Sequence, residues 1–247
     1  MTLLLAHISD LHLDGTDRTT DRATRTVEYL RDLHQAPDAL LVTGDVADHA
    51  TAEEYQQAAR LLDLPFPVLV CPGNHDDRAT LRRAMLGREP SAEPFNQVHE
   101  VGGATVLACD STIGGEDGGH LDTATLVWIN ETLNALPEDR PALLALHHPP
   151  VRVHHPLPDS MRLDNADDLA GLLHAHPRVA GILVGHAHTG GATTFAGRPL
   201  LLAPGVTWTL RMPWEGEPVA NRDQPPGVAF HLLDEDHRLT THFRAVV

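Results

Sequence analysis

The sequence predicts an α/β fold built on a parallel sheet, and three observations carry that prediction. Apolar runs of strand length recur along the chain, the segments between them repeat apolar residues at helical spacing, and most runs break off in a polar cluster marked by Gly or Pro. Strand–helix–strand alternation implies parallel strands joined by right-handed crossovers. Polar breaks of this kind are where such a sheet places chemistry, outside the carboxyl ends of its strands.

Leu3 to Ile8 is the first strand, followed by Ser9-Asp10-Leu11-His12. Side chains alternate along extended backbone, so Asp10 and His12 are expected on one face, where they could hold a metal. Residues 21–34 have helical spacing (Ala23, Val27, Leu30, Leu33) and stop at Pro37. Ala39 to Thr43 is the second strand and ends in Gly44-Asp45-Val46-Ala47-Asp48. The turn glycine leaves Asp45 at the strand tip as a ligand candidate, and Asp48 is expected to cap the helix that begins near Thr51. That helix, about Ala52 to Leu62, leads to a third strand and to Cys71-Pro72-Gly73-Asn74-His75-Asp76-Asp77. An amide, an imidazole and a carboxylate in a row are poor core material and good material for gripping a metal and a phosphate.

Residues 77–86 read as a helix, and residues 97–101 and 104–108 as a hairpin across Gly102-Gly103. Asp110 and His120 sit in polar loops and are read as loop residues. Residues 121–136 read as a helix, and residues 141–146 as a buried strand ending in His147-His148-Pro149-Pro150. The prolines stop the strand; His147 is the ligand candidate and His148 the alternative. Residues 151–165 form a loop with His154 and His155 on its surface, and residues 166–176 a helix. Val179 to Val184 then ends in Gly185-His186-Ala187-His188-Thr189-Gly190, the most specific single signal, because two alternating imidazoles between glycines suit a metal. The remaining strands, near 192–196, 199–203, 228–233 and 238–244, read as antiparallel hairpins completing a second sheet. The long 204–227 loop carries Trp208 and Arg211, and with Arg162 these are candidates for meeting substrate. No repeat or linker marks a boundary, so residues 1–247 are read as one domain.

Acidic residues outnumber basic ones 34 to 18, for a formal charge of −16. That argues against long nucleic acids, whose affinity comes largely from Lys and Arg on phosphates. A small anionic substrate remains compatible, because bound cations can dominate a local field. Cys71 and Cys109 both end apolar runs and are expected as reduced, buried thiols. The N-terminus lacks a basic region and a long apolar region, and no run reaches transmembrane length. A cytoplasmic protein without membrane partners is the expectation.

Asp10, His12, Asp45, Asn74, His147, His186 and His188 are nitrogen and oxygen donors with no cysteine among them, too many for one tetrahedral zinc and suited to two first-row ions sharing a carboxylate. In the blocks Asp10-Leu11-His12, Gly44-Asp45, Gly73-Asn74-His75-Asp76, His147 and Gly185-His186-Ala187-His188, the sequence resembles the calcineurin-like metallophosphoesterases. With His-His-Pro-Pro and its short length it is similar, within them, to the class III cyclic-nucleotide phosphodiesterases and the glycerophosphodiesterases. It lacks the block of the phosphoprotein phosphatases, since Asp45 is followed by Val46-Ala47-Asp48-His49.

The resemblance implies a four-layer α-β-β-α sandwich with two mixed sheets. It implies one ion on Asp10, His12, Asp45 and His188 and a second on Asp45, Asn74, His147 and His186, with Asp45 bridging. Manganese or iron is expected ahead of zinc or cobalt. A hydroxide between the ions would attack phosphorus, with His75 as hydrogen-bond or proton donor, so that His75, Asp45 and Asn74 carry catalysis. Asp76 would orient His75 or cap the next helix. Small phosphodiesters are the expected substrates, 3′,5′-cyclic nucleotides first, then glycerophosphodiesters or a broad range of monoesters. A homodimer through 204–227 is a further expectation. A non-enzymatic module on this fold would be expected to have lost ligands, and none is missing.

Overall fold

Residues 2–247 are described by the structure, a computed structural model. The chain opens with β1 (Leu3–Ile8), α1 (Asp17–Arg31), β2 (Ala39–Thr43), α2 (Ala52–Leu61), β3 (Val68–Cys71) and α3 (Arg78–Leu86). It continues through β4 (Gln97–Val101), β5 (Ala104–Ala108), α4 (Thr123–Ala135), β6 (Ala142–Leu146), α5 (Pro156–Ser160), α6 (Ala166–Ala175) and β7 (Val179–Val184). Last come β8 (Gly191–Phe195), β9 (Arg198–Leu202), β10 (Thr209–Leu210), β11 (Ala220–Asn221), β12 (Gly227–Leu233) and β13 (Leu239–Ala245).

Two mixed sheets carry all of these strands but β10 and β11, in the orders β13-β12-β1-β2-β3 and β4-β5-β6-β7-β9-β8. Within them β1, β2 and β3 are parallel, as are β5, β6, β7 and β9. Central strands such as β2 and β6 are buried throughout, because both faces are covered, and this is why they read as continuous apolar runs.

Three cores separate four layers. Ala23, Val27 and Leu30 of α1, Tyr55 and Ala58 of α2 and Leu81 of α3 pack on Ala6, Ile8, Leu40 and Val42. Ile129 and Leu133 of α4 and Leu169 and Leu173 of α6 pack on Leu144, Leu146, Ile182 and Val184. Leu3, Leu5, Ala39 and Leu41 of the first sheet meet Val106, Leu143, Ala145 and Leu183 of the second. This is the expected α-β-β-α sandwich with two mixed sheets.

Four expectations change. The last strands do not all complete the second sheet: the β8–β9 hairpin extends it, but the β12–β13 hairpin lies antiparallel on β1 in the first. α1 starts at Asp17, before the apolar periodicity begins, because the Thr16 side chain accepts from the Thr19 amide and caps it. The 151–165 loop contains α5, whose N-cap is His155, a buried residue rather than a surface one. The 204–227 segment holds the short β10–β11 ribbon. Both cysteines are buried free thiols. Among the described residues no helix is long and apolar enough to cross a membrane.

Candidate metal centre

The polar ends of β1, β2, β3, β6 and β7 meet where the two sheets come together. They do not share one edge of one sheet. Asp10, His12, Asp45 and Asn74 follow strands of the first sheet, and His147, His186 and His188 follow strands of the second. Close approach of the sheets there requires small residues. A side chain at Gly185 would run into the Ser9 hydroxyl and stand 2.6 Å from the Thr43 carbonyl oxygen, and one at Gly73 would stand 2.8 Å from the His147 ring.

Backbone conformation aims the donors. Asp10, His12, Asp45, His186 and His188 all have positive φ, between 41° and 67°. Non-glycine residues rarely adopt this region, and where they do at a functional site the surroundings hold them there. Asp10 and His12 do come together as expected, but through two left-handed residues and not through the pleat of a strand, since β1 ends at Ile8.

Asp10, His12, Asp45 and His188 gather in one group. His12 Nε2 lies 3.2 Å from His188 Nε2 and 3.3 Å from Asp45 Oδ2, and His188 Nε2 lies 3.5 Å from Asp10 Oδ1. Next to it, Asn74 Oδ1 stands 3.1 Å from both His147 Nε2 and His186 Nδ1, and those two nitrogens are 3.1 Å apart. Asp45 Oδ2 is 3.4 Å from His147 Nε2, so one carboxylate oxygen faces both groups. Its other oxygen accepts from the His75 amide at 3.0 Å.

Several protein groups set which imidazole nitrogen is free. The Nδ1–H of His147 donates to the Thr43 carbonyl at 2.6 Å, and that of His188 to the Trp208 carbonyl at 3.4 Å. His12 Nδ1 is held by the Asp48 carboxylate at 2.8 Å. In each ring this turns Nε2 toward the donor groups. The Trp208 ring stacks on His188, with centroids 3.6 Å apart and planes at 15°.

A divalent cation fits this set. Both oxygens of Asp10, one of them 3.5 Å from His188 Nε2, are buried without a hydrogen-bond partner in the protein. Buried polar atoms are almost always paired, so an orphaned carboxylate among imidazoles marks a missing ligand. Donors on one first-row ion at about 2.1 Å stand about 3–3.5 Å apart, the spacing observed here.

The electrostatics agree with this. Burial alone would push Asp45 up, but His147 and His12 hold its carboxyl well below the usual range. Burial is also the largest influence on His12 and His147 and lowers both, yet Asp45 and its neighbours carry them up to about 10 and about 9. Burial raises Asp10 to about 6 and lowers His186 to about 3. Protons and divalent ions therefore compete for the same donors.

His148 packs against His186, with ring centroids 4.9 Å apart, and its Nδ1 pairs with the Ser111 hydroxyl at 2.8 Å; the donors facing Asn74 and Asp45 belong to His147. Asp48 does not cap α2. Thr51 does, in a reciprocal capping box with Glu54, which frees Asp48 to hold His12. Thr51 followed three residues later by Glu54 is a signal the sequence carries. Asp76 neither orients His75 nor caps α3, whose cap is Asp77. It accepts instead from the amides of Val46, Ala47 and Gly73 and from the Tyr55 hydroxyl, tying the turn after β2 to the turn after β3. Asp110 is bound to Arg78 at 2.6 Å and His120 to Asp164 at 2.6 Å, as loop residues. A cavity of about 330 Å³ opens over the donors, walled by Leu157, Pro158, Met161, Trp208 and Leu210.

Known proteins of similar sequence and fold point the same way. Residues 3–190 match the family model described as calcineurin-like phosphoesterase. A cAMP/cGMP dual specificity phosphodiesterase of Mycobacterium tuberculosis is 34% identical over 219 residues, 83% of this chain and 68% of its own. A glycerophosphodiester phosphodiesterase of Enterobacter lignolyticus is 31% identical over 198 residues, 75% of this chain and 71% of its own. In fold, a dimetal phosphatase from Danio rerio superposes with a TM-score of 0.69 at 14% identity, covering 99% of both chains. The chain belongs to the calcineurin-like phosphoesterase family.

Proposed function

We propose that the chain is a metal-dependent phosphodiesterase of small diesters, 3′,5′-cyclic nucleotides first. The observation that carries this reading is Asp45 Oδ2 lying within 3.3–3.4 Å of an imidazole nitrogen in each donor group. Membership of the family implies a dinuclear divalent metal centre. Asp10, His12, Asp45 and His188 would hold one ion, and Asp45, Asn74, His147 and His186 the other. The all-N/O donor set suits manganese or iron, with zinc or cobalt as alternatives. When bound, the ions supply Lewis acidity toward the phosphoryl oxygens and an acidified water.

The chain's own groups do the rest. The Thr43 carbonyl and the Asp48 carboxylate hold His147 and His12 in the tautomer that presents Nε2. Asp76 fixes the turns that carry Asp45 and Asn74. His75 stands at the cavity with Nδ1–H donating to the Asp48 carbonyl at 2.9 Å. With that proton committed, Nε2 gives a proton to a departing oxygen only when the ring carries a second proton. The apolar wall from Leu157 to Met161 offers a surface for a nucleoside or an alkyl group.

Protein reconstituted with manganese, iron or cobalt is expected to hydrolyse bis(p-nitrophenyl) phosphate and 3′,5′-cAMP at least about tenfold more efficiently than p-nitrophenyl phosphate. A faster monoester would overturn the diester reading. His75→Gln is expected to slow turnover of esters with alkoxide leaving groups by about 10²–10⁴-fold. Its effect on p-nitrophenyl esters, whose leaving group needs no proton, should be much smaller. The relatives named for glycerophosphodiesters make glycerophosphoethanolamine the second substrate to assay.

A further inference from the structure

A second cavity lies beside the first, and Asn74 and His75 line both. It too measures about 330 Å³, and its far wall is made by Arg78, Ala92, Thr112, Ile113 and Gly114. We propose that this second cleft receives the second ester arm of an acyclic phosphodiester, so that the protein takes linear diesters carrying two bulky substituents without negative charge. This rests on the phosphodiesterase reading above and names a substrate class for it.

The geometry of displacement at phosphorus requires two directions of escape. The attacking and leaving oxygens are roughly in line, and the ester oxygen that stays behind projects at about a right angle to that line. In a 3′,5′-cyclic nucleotide both ester oxygens return to one sugar, so a single cleft holds the whole organic part. In an acyclic diester the two arms diverge, and a site with one cleft leaves one arm in water. Here the two cavities share Asn74 and His75 and no other lining residue. His75 stands between them, and its Nε2 makes no hydrogen bond to the protein among the described residues.

The chemistry of the second cleft sets the kind of arm it takes. Its one cation is already spent. Arg78 Nε donates to Asp110 Oδ2 at 2.6 Å, and Nη2 donates to Asp110 Oδ1 at 3.2 Å and to the Thr112 carbonyl at 2.7 Å. Asp110 is buried and accepts further from the amides of Phe95 and Thr112. A guanidinium so engaged is not an anion receptor, and Asp76 and Asp77, which line the same cleft, add negative charge. Thr112 is pinned to Asp110 through its hydroxyl at 2.7 Å and pairs with Gly119, so the wall is preformed. No arginine lines the first cleft, whose charged groups beyond the donors are Asp48 and Asp117. Neither cleft is built for a second phosphate, and both suit aryl, alkyl or nucleoside arms.

The test compares diphenyl phosphate with methyl phenyl phosphate, which share one arm and differ in the other. Binding is measured by calorimetry on the manganese-loaded wild type and on Gly114→Phe and Ala92→Phe. Gly114 lines the cleft, and a Cβ there meets nothing within 4 Å, so the larger side chain is accommodated without a clash at its base. The wild type should bind diphenyl phosphate about tenfold more tightly, from burial of the second ring, and each variant should erase that preference. In turnover, the ratio of kcat/KM for bis(p-nitrophenyl) phosphate to that for 3′,5′-cAMP should fall about tenfold in both variants. Equal affinity of the wild type for the two phosphates, or variants that weaken both alike, would overturn the proposal. Preferential binding of diphenyl phosphate with no turnover of any diester would instead remove the phosphodiesterase reading and leave the two-arm cleft standing.

Discussion

His7 and His231 are buried between the sheets, and so, one turn further along, are His12, His147, His186 and His188. The inner pair is satisfied by the protein. His231 Nδ1 pairs with the Thr241 hydroxyl at 2.8 Å, His231 Nε2 with His7 Nδ1 at 3.0 Å, and His7 Nε2 with the Thr43 hydroxyl at 2.8 Å. A chain of this kind needs one proton per group and no carboxylate. Burial lowers the pKa of both rings, so they are neutral. The outer four face Asp10 and Asp45, and the cluster leaves Asp10 and His186 Nε2 without partners. The same residue type at the same depth serves as a polar plug in one place and as a ligand set in the other. What separates the two is whether the protein closes its own hydrogen bonds.

Removing the carboxylate that the two donor groups share should give the largest contrast. Asp45→Ala is expected to lower diester turnover by about 10³-fold or more and to reduce bound metal, read by elemental analysis. His231→Leu, on the other side of the comparison, should leave the metal content at the wild-type value. Equal metal loading in wild type and Asp45→Ala would erase the distinction between the two clusters.

The second contrast is one of sign. A buried carboxylate without hydrogen bonds destabilises the fold it sits in, and Asp45 nearby adds repulsion, which with burial raises Asp10 to about 6. In chelator, Asp10→Asn is therefore expected to melt a few degrees above the wild type, at about 2–4 °C per kcal/mol for a chain of this size. In excess manganese the order should reverse, because a ligand at a hundredfold excess over its Kd adds about 2.7 kcal/mol to the protein that binds it. Melting curves with and without metal check this. A variant less stable than wild type in both conditions would mean that Asp10 is held by the protein alone.

Much of the site was legible in the sequence because ligand chemistry and strand ends are both local signals. Each donor follows an apolar run within a few residues, and Gly185-His186-Ala187-His188 needs no tertiary information to stand out. The fold was legible to the level of layers, since fully buried strands and one-faced helices have different periodicities. The sheet each strand joins was not, because β12 pairs with β1 across most of the chain, through contacts such as Phe230 with Ala6 that leave no trace in local pattern. The left-handed conformations of Asp10 and His12 were likewise invisible, since neither residue type demands them and the Asp10 and His12 amides are fixed by Gly44 and Asp45 carbonyls from the next strand. The role of Asp48 was missed for a different reason. Two good N-cap residues stand three apart, and only the partner Glu54 shows which one is used.

The smallest effect concerns the inner pair, and it runs through pH. Unfolded histidine titrates near 6.5, whereas in the fold His231 is lowered to about 3 and His7 falls well below its ordinary value, both chiefly by burial. Between pH 6.5 and about 3 the unfolded chain takes up protons that the folded chain refuses. Stability therefore falls as pH falls through that window, by up to about 1.4 kcal/mol per pH unit for each ring, and these two groups add no slope above it. Replacing both with Leu leaves the Thr43 and Thr241 hydroxyls without their imidazole partners, at a cost of about 1–3 kcal/mol for a buried group, a cost that does not vary with pH. The difference should appear in the slope: urea unfolding at pH 7, 6 and 5 is expected to show the wild type losing stability faster than His7→Leu/His231→Leu. Parallel slopes would mean that the inner rings titrate normally, and the contrast between a closed hydrogen-bond chain and an open ligand set would then lose its electrostatic half.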